Sequence, residues 1–120
     1  MRRILIIDDN ESNLQMMGLI FKDEGYAIKS LPLPIDLDSI LVEFAPDVIL
    51  MDIFMGEYNG VEICRELKSN PNHKALKIVL TTASNTFNNL DRLSTLADGH
   101  IAKPFDINEV VKLIDEVLGN

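Results

Sequence analysis

The chain contains no apolar run long enough to cross a membrane or to direct secretion. The run at 4–7 follows two arginines, but it is much shorter than the roughly 7–15 residues of a signal-peptide core or the roughly 20 residues of a membrane span. A single cysteine, Cys64, excludes an internal disulfide and suits a reducing compartment. These absences predict a cytoplasmic protein without a membrane anchor.

Basic residues are also scarce, since 11 lysines and arginines face 19 acidic residues and the net charge is −8. Unspecific binding to nucleic acid or to an anionic membrane needs clustered Lys and Arg, so we expect neither as a direct partner. The chain has no linker, repeat or low-complexity tract. We therefore expect residues 1–120 to form a single domain, with no output domain after it.

Apolar patterning predicts alternating strands and helices. Short buried-strand runs lie at 4–7, 26–30, 48–52, 78–80 and 100–102, and stripes of helical spacing lie at 14–21, 37–44, 63–67, 90–97 and 110–118. Such alternation implies an α/β fold in which helices cover both faces of a parallel sheet. With five strands, the flavodoxin-like, doubly wound (βα)5 arrangement with strand order 2-1-3-4-5 is the expected choice.

Polar side chains stand where four of these runs end. They are Asp8 and Asp9 after strand 1, Asp52 at the end of strand 3, Thr82 after strand 4 and Lys103 after strand 5. Open α/β sheets bind their ligands at the carboxyl ends of the strands, and the expected order places these four strands side by side. The sequence therefore predicts one site at this edge of the sheet.

Three converging carboxylates repel each other by about 4 kcal/mol per pair at 4 Å and an effective dielectric near 20, so they must retain protons or hold a cation. Oxygen ligands favour Mg²⁺, with Mn²⁺ or Ca²⁺ as substitutes, and the lack of nearby Cys or His disfavours zinc. Lys103 and the Thr82 hydroxyl suit a phosphoryl group, and the Asp52 carboxylate is a competent nucleophile at phosphorus. The combination predicts Mg²⁺-dependent formation of an aspartyl phosphate.

With these residues in place, the chain resembles the response-regulator receiver domain of two-component signalling over essentially its whole length. The matching motifs are Asp8-Asp9, Asp52-Ile53-Phe54-Met55 followed by Gly60, Thr82-Ala83 and Lys103-Pro104-Phe105. The resemblance implies that Asp52 is the phosphoacceptor and that Asp9 is a direct Mg²⁺ ligand. It further implies that Asp8 acts through a metal-bound water and that the Phe54 carbonyl completes the protein's ligands.

The resemblance also implies contacts from Thr82 and Lys103 to the phosphoryl oxygens and a cis peptide bond before Pro104. A histidine kinase or a histidine phosphotransfer protein would donate the phosphoryl group. Phosphorylation would then draw in Thr82, reposition His100 and switch a surface formed by the fourth helix, the fifth strand and the fifth helix, including Phe105 and Ile107. An unknown downstream protein would recognise that surface, so the domain acts as a signalling switch rather than as an enzyme.

Three positions depart from the family pattern. Gly56 replaces a proline four residues after the acceptor, which is expected to loosen the loop that carries the Phe54 carbonyl. His100 replaces the aromatic switch residue and adds a titratable group there. Leu96 replaces the glycine that usually follows the fourth helix.

Two other functions stay open. The first is a receiver-like binding module that signals without phosphorylation. The second is an enzyme or cofactor binder on the same fold, although the chain lacks the Asp-x-Asp of haloacid-dehalogenase phosphatases, the phosphate loop of flavodoxins and the Gly-x-Gly-x-x-Gly of dinucleotide sites.

Overall fold

The structure is a computed structural model that describes residues 1–83, 96–103 and 106–119. Its elements follow the chain in this order: β1 (Arg3–Ile7), α1 (Glu11–Asp23), β2 (Ala27–Leu31), α2 (Leu37–Phe44), β3 (Val48–Asp52), β4 (Phe54–Met55), β5 (Tyr58–Asn59), α3 (Gly60–Ser69), a 3-10 turn (Pro71–His73), β6 (Lys77–Ala83), β7 (Gly99–Lys103) and α4 (Ile107–Leu118).

The main sheet has five parallel strands in the order β2-β1-β3-β6-β7. Counting only these five strands, the order is 2-1-3-4-5, which confirms the predicted topology. The two central strands, β1 and β3, are almost wholly buried, because helices cover both faces, and this explains their continuous apolar runs.

Two apolar layers hold the helices against the sheet. On one face, α1 and α4 pack against alternate residues of the strands; this layer includes Phe21, Leu50, Val79, Ile101 and Ile114. On the other face, α2 and α3 pack against the intervening residues; this layer includes Ile7, Leu41, Met51, Cys64 and Leu80. Side chains alternate along a strand, so each residue's place in the sequence decides which layer it joins.

Side-chain caps fix the beginnings of three helices. The side-chain oxygens of Asn10, Asn59 and Asp106 accept hydrogen bonds from backbone N–H groups in the first turns of α1, α3 and α4. Such caps satisfy donors that have no partner within the helix. The Asn10 and Asn59 caps begin the next helices after the acidic ends of β1 and β3, and the β4–β5 hairpin lies between β3 and its helix.

The structure differs from the sequence predictions in two places. Residues 58–60, which no predicted strand or helix included, contribute β5 and the start of α3, and β4 and β5 form a small antiparallel hairpin. Two-residue strands have no periodicity to detect. Ala97, placed in a predicted fourth helix, is not helical, although it packs beside the α2–α3 layer. The other residues that defined that helix, Leu90 and Leu93, lie outside the described residues, as do Pro104 and Phe105.

No helix in the described part of the chain is both long and apolar enough to span a membrane.

Candidate functional site

The three predicted carboxylates do converge. Oxygens of Asp8, Asp9 and Asp52 lie within 4.8 Å of one another. Asp8 and Asp9 follow β1, while Asp52 ends the neighbouring strand β3, so the parallel pairing of these strands places the carboxylates at one edge. Asp8 is 1% exposed and Asp52 is 9% exposed, whereas Asp9 is open to solvent. The cluster therefore combines two buried carboxylates with one at the protein surface.

Lys103 bridges the two buried carboxylates. Its Nζ lies 3.0 Å from Asp8 Oδ2 and 2.9 Å from Asp52 Oδ2. The sequence placed Lys103 at this edge of the sheet but did not anticipate that it would contact both acids. The remaining oxygens also accept hydrogen bonds, since Asp8 Oδ1 accepts from the Asn10 amide at 2.9 Å and Asp52 Oδ1 from the Phe54 amide at 3.4 Å.

The pKa values of Asp52 and Lys103 are both raised. Burial raises the pKa of the Asp52 carboxyl above its ordinary value, and the Lys103 ammonium only partly offsets this effect. Burial alone would lower the pKa of Lys103, but hydrogen bonds to Asp52 and Asp8 outweigh it and raise that pKa. The directions are compatible because Lys103 faces two carboxylates, while Asp52 faces one ammonium and the repelling carboxylate of Asp8.

The donor set fits a divalent cation. Three ionised carboxylates and one ammonium leave two negative charges uncompensated within this group. The candidate ligands are all oxygen atoms, which suit Mg²⁺ better than zinc, and Mg²⁺ prefers one or two carboxylates together with water and phosphate oxygens. That Phe54 contributes its carbonyl stays a prediction; its side chain is exposed at the start of the β4–β5 hairpin.

Gly56 connects this hairpin to the acidic cluster. Its backbone N–H donates a hydrogen bond to Asp9 Oδ2 at 3.2 Å, and its φ angle is +59°. Gly56 and Glu57 are the two residues between β4 and β5, and a Gly-x pair is typical of a two-residue type II′ hairpin turn. That signal was present in the sequence, where the glycine was interpreted only as a source of looseness.

Two threonines, Thr81 and Thr82, lie near the end of β6 on opposite faces of the sheet. Thr81 is in register with Asp52 and lies two residues beyond Val79 of the α1–α4 layer, so its side chain shares the face of Asp52. Its buried hydroxyl has no hydrogen-bond partner among the described residues. Thr82, the residue selected from the sequence, is 2% exposed and alternates to the α2–α3 face.

His100 also lies on the α2–α3 face. It is half-buried in β7 and in register with Leu80, two residues before Thr82 on the neighbouring strand. The structure thus places Thr82 and His100 on the same side of adjacent strands. Ile107, in the predicted partner surface, begins α4 and is exposed.

Comparison with known proteins shows which proteins the chain is similar to. The DNA-binding response regulator MtrA of Mycolicibacterium paratuberculosis is 30% identical over 111 residues, which are 92% of this chain and 48% of MtrA. The chain spans about half the length of the curated relatives it matches. The expectation that nucleic acid is not a partner finds no support here, because such relatives are DNA-binding regulators.

Solved structures share the fold. The signal receiver domain of a DNA binding response regulator protein (merR) from Colwellia psychrerythraea has a TM-score of 0.88 and 25% identity, covering 100% of both chains. The response regulator TrrA of Thermotoga maritima, crystallised in complex with Mg²⁺-BeF, has a TM-score of 0.83 and 24% identity over 98% of this chain and 99% of that one.

A family model described as the response regulator receiver domain matches residues 4–115. The chain belongs to the receiver domain family of two-component response regulators.

Proposed function

We propose that Asp52 is the phosphoacceptor of this receiver domain and that Asp8, Asp9 and Asp52 hold the Mg²⁺ ion that the reaction needs. Receiver domains bind Mg²⁺ in an acidic pocket, are phosphorylated by histidine kinases and act as signalling switches. One observation carries the assignment to Asp52. Its carboxylate belongs to the acidic cluster and contacts Lys103, at the carboxyl end of the central strand β3.

The chemistry follows from these positions. An Asp52 oxygen attacks the phosphorus of a phosphohistidine, the P–N bond breaks, and the histidine nitrogen keeps the electron pair. An Mg²⁺ ion held by Asp8, Asp9 and Asp52 would supply positive charge that offsets the charge of the phosphoryl group. Lys103, already 2.9 Å from Asp52, can transfer a hydrogen bond from the carboxylate to a phosphoryl oxygen as the bond forms. The phosphoryl donor is a histidine kinase or a histidine phosphotransfer protein.

The output step is assigned to Thr82 and His100. Phosphate on Asp52 gives the Thr82 hydroxyl a new acceptor, and movement of the end of β6 changes the space beside β7. Thr82 and His100 share one face of these adjacent strands, which supports a coupled movement. The phosphate thereby shifts an existing equilibrium between two arrangements, and a downstream protein binds the favoured one.

Labelling with a small phosphodonor tests the assignment. The protein is incubated with acetyl phosphate and Mg²⁺, and the intact mass is measured before and after mild base. We expect one base-labile phosphoryl group in the unaltered protein and none after Asp52→Asn. Asp23→Asn, on the exposed end of α1, is the matched control and should label fully.

Undiminished labelling of the Asp52→Asn protein would exclude Asp52 as the acceptor. A second arm replaces Mg²⁺ with a chelator, which should abolish labelling if the acidic cluster must hold the ion. A partner that binds the Asp52→Ala protein and the phosphorylated protein equally well would instead favour a module that signals without phosphorylation.

A further inference from the structure

The hydrogen bond from Gly56 to Asp9 depends on the departure from the family pattern. The Gly56 N–H lies 3.2 Å from Asp9 Oδ2. Proline, expected at this position from the family resemblance, has no N–H and could not donate it. This chain therefore has a backbone donor facing the rim of the acidic cluster, at a position where the family pattern has none.

The backbone conformation of Gly56 is also one that proline cannot adopt. Its φ of +59° is in the left-handed region, whereas proline is confined near −65°. A Cβ built on Gly56 would meet only Leu33 Cδ2, at 3.8 Å, so there is room for a side chain. The position requires an amide donor and a positive φ rather than empty space.

Asp9 is the member of the cluster that most needs a fixed partner. Asp8 and Asp52 are buried and bonded to Lys103, while Asp9 is exposed. An exposed carboxylate otherwise loses conformational freedom when it binds an ion, and this loss weakens binding. A hydrogen bond to Oδ2 leaves the Oδ1 atom of Asp9 open to a ligand, because each carboxylate oxygen has its own lone pairs.

We propose that the Gly56 amide is a positioning group, which orients Asp9 for a divalent cation and couples occupation of the site to the β4–β5 hairpin. The inference rests on the proposed function in taking Asp9 as a Mg²⁺ ligand. By thermodynamic linkage, an ion that fixes the orientation of Asp9 also strengthens the hydrogen bond from Gly56 to Asp9. The stronger hydrogen bond orders the hairpin that carries Phe54 and Tyr58. Phe54 is 56% exposed and Tyr58 is 40% exposed, so this change reaches the protein surface.

Nuclear magnetic resonance of the metal-free protein tests the hydrogen bond directly. We expect a through-bond coupling between the Gly56 nitrogen and the Asp9 carboxyl carbon, and an upfield shift of the Gly56 amide proton after Asp9→Ala. The Asn108 amide, which donates to the Asp106 carboxylate at 2.7 Å, is the internal control and should not move. An unshifted Gly56 proton overturns the proposal.

Calorimetric titration with Mg²⁺ tests the positioning role. Gly56→Asn keeps the amide and tolerates positive φ, so its affinity should match that of the unaltered protein. Gly56→Pro removes the donor and should bind about tenfold more weakly, as changes behind a metal ligand commonly do. Gly119→Asn, at a positive-φ glycine at the end of α4, controls for the substitution itself.

Equal Mg²⁺ affinity of Gly56→Pro and Gly56→Asn overturns the proposal. A further readout is the Tyr58 amide resonance, which should shift on Mg²⁺ addition in Gly56→Asn and less in Gly56→Pro. If the unaltered protein binds no Mg²⁺, both this proposal and the proposed function fail. If Mg²⁺ binds as expected but Asp52 takes no phosphate, only the proposed function fails.

Discussion

Lys103 contacts Asp52 across an intervening strand. Their Nζ and Oδ2 atoms lie 2.9 Å apart although β6 separates β7 from β3 in the sheet. The neighbour of Lys103 in register is Ala83, the last residue of β6. The same ammonium reaches Asp8 beyond β3, so one cation joins the carboxyl ends of three strands.

Removing this ammonium should destabilise the metal-free protein. Lys103→Met leaves the buried carboxylates of Asp8 and Asp52 without their cation, and breaking a buried ion pair from one side costs about 3 kcal/mol or more. Urea unfolding at neutral pH measures the loss. Saturating Mg²⁺ should raise the free energy of unfolding more in this variant than in the unaltered protein. Without the lysine, the ion interacts with carboxylates whose negative charge is not offset.

Lys22→Met, on the exposed last turn of α1, is the control and should change the free energy of unfolding by less than about 0.5 kcal/mol. If Lys103→Met is as stable as the unaltered protein without metal, the lysine does not compensate the acidic cluster.

Cys64 gives the protein a stability that depends on pH. Burial raises the pKa of its thiol to about 11, from an ordinary value of 9.0. The folded state favours the protonated thiol, so this contribution is fully present below pH 9.0 and is lost as the pH rises through about 11. A shift of this size corresponds to about 2–3 kcal/mol.

Urea unfolding across this pH window, compared between the unaltered protein and Cys64→Ala, isolates the contribution of the thiol. We expect the stability advantage of the unaltered protein to shrink by pH 11. A thiol reagent at pH 8 should also modify Cys64 slowly in the folded protein and quickly in urea. A constant advantage across the window would contradict the assignment.

Much of the fold was predictable because burial on both sides of the sheet leaves a readable pattern. The run ending at Asp52 predicted a central strand, and strand order alone brought Asp8, Thr82 and Lys103 to its tip. The β4–β5 hairpin was missed because strands of two residues are too short to show an alternating apolar pattern. Gly56 was its one signal in the sequence, but a glycine is compatible with several kinds of turn and loop.

The finer arrangement of the site depends on quantities that a sequence does not contain. Whether Lys103 meets Asp8, Asp52 or both depends on sheet twist and side-chain length. Thr81 and Thr82 are chemically identical, and only the strand register distinguishes their faces. The role of Asn10, whose amide donates to Asp8, became visible only with the turn after β1.

Leu96 occupies a backbone conformation that suits glycine. Its φ is +66° and its side chain is 54% exposed, so the residue carries strain with little burial in return. Left-handed geometry costs a residue with a Cβ about 1–2 kcal/mol in the folded state, and glycine avoids this cost. Glycine also makes the unfolded chain more flexible, which lowers the free energy of unfolding by about 0.4–1 kcal/mol. Leu96→Gly should therefore stabilise the protein by about 0.5–1 kcal/mol in thermal or urea unfolding.

The matched control is Leu19→Gly, which removes a leucine that is even more exposed, at 70%, from the regular helix α1. It should destabilise the protein by about 1 kcal/mol, since glycine is a poor helix former. Opposite signs for the two substitutions would identify backbone conformation as the cause. A loss of stability in both would show that the Leu96 side chain contributes contacts that outweigh its strain.

Gly60 lies so close to the end of β3 that no side chain fits. A Cβ at this position would lie 2.4 Å from the Asp52 carbonyl oxygen and 3.1 Å from Ile53 Cα, both backbone atoms that cannot rotate away. The Gly60 amide also donates to the Ile53 carbonyl at 2.6 Å, which holds the start of α3 against the end of β3. Gly60→Ala must therefore displace the chain that carries Asp52.

We expect Gly60→Ala to lose about 2–3 kcal/mol in urea unfolding, as overpacked sites do, and to shift the Ile53 amide resonance. Gly18→Ala is the control, because its Cβ would meet the flexible end of the Ile28 side chain at 3.3 Å and alanine favours the surrounding helix. Gly18→Ala should be neutral or stabilising. Because the displaced backbone carries Asp52, the proposed phosphoacceptor, Gly60→Ala should also slow labelling by acetyl phosphate. Unchanged stability and labelling would mean that the β4–β5 hairpin before α3 adjusts without moving Asp52.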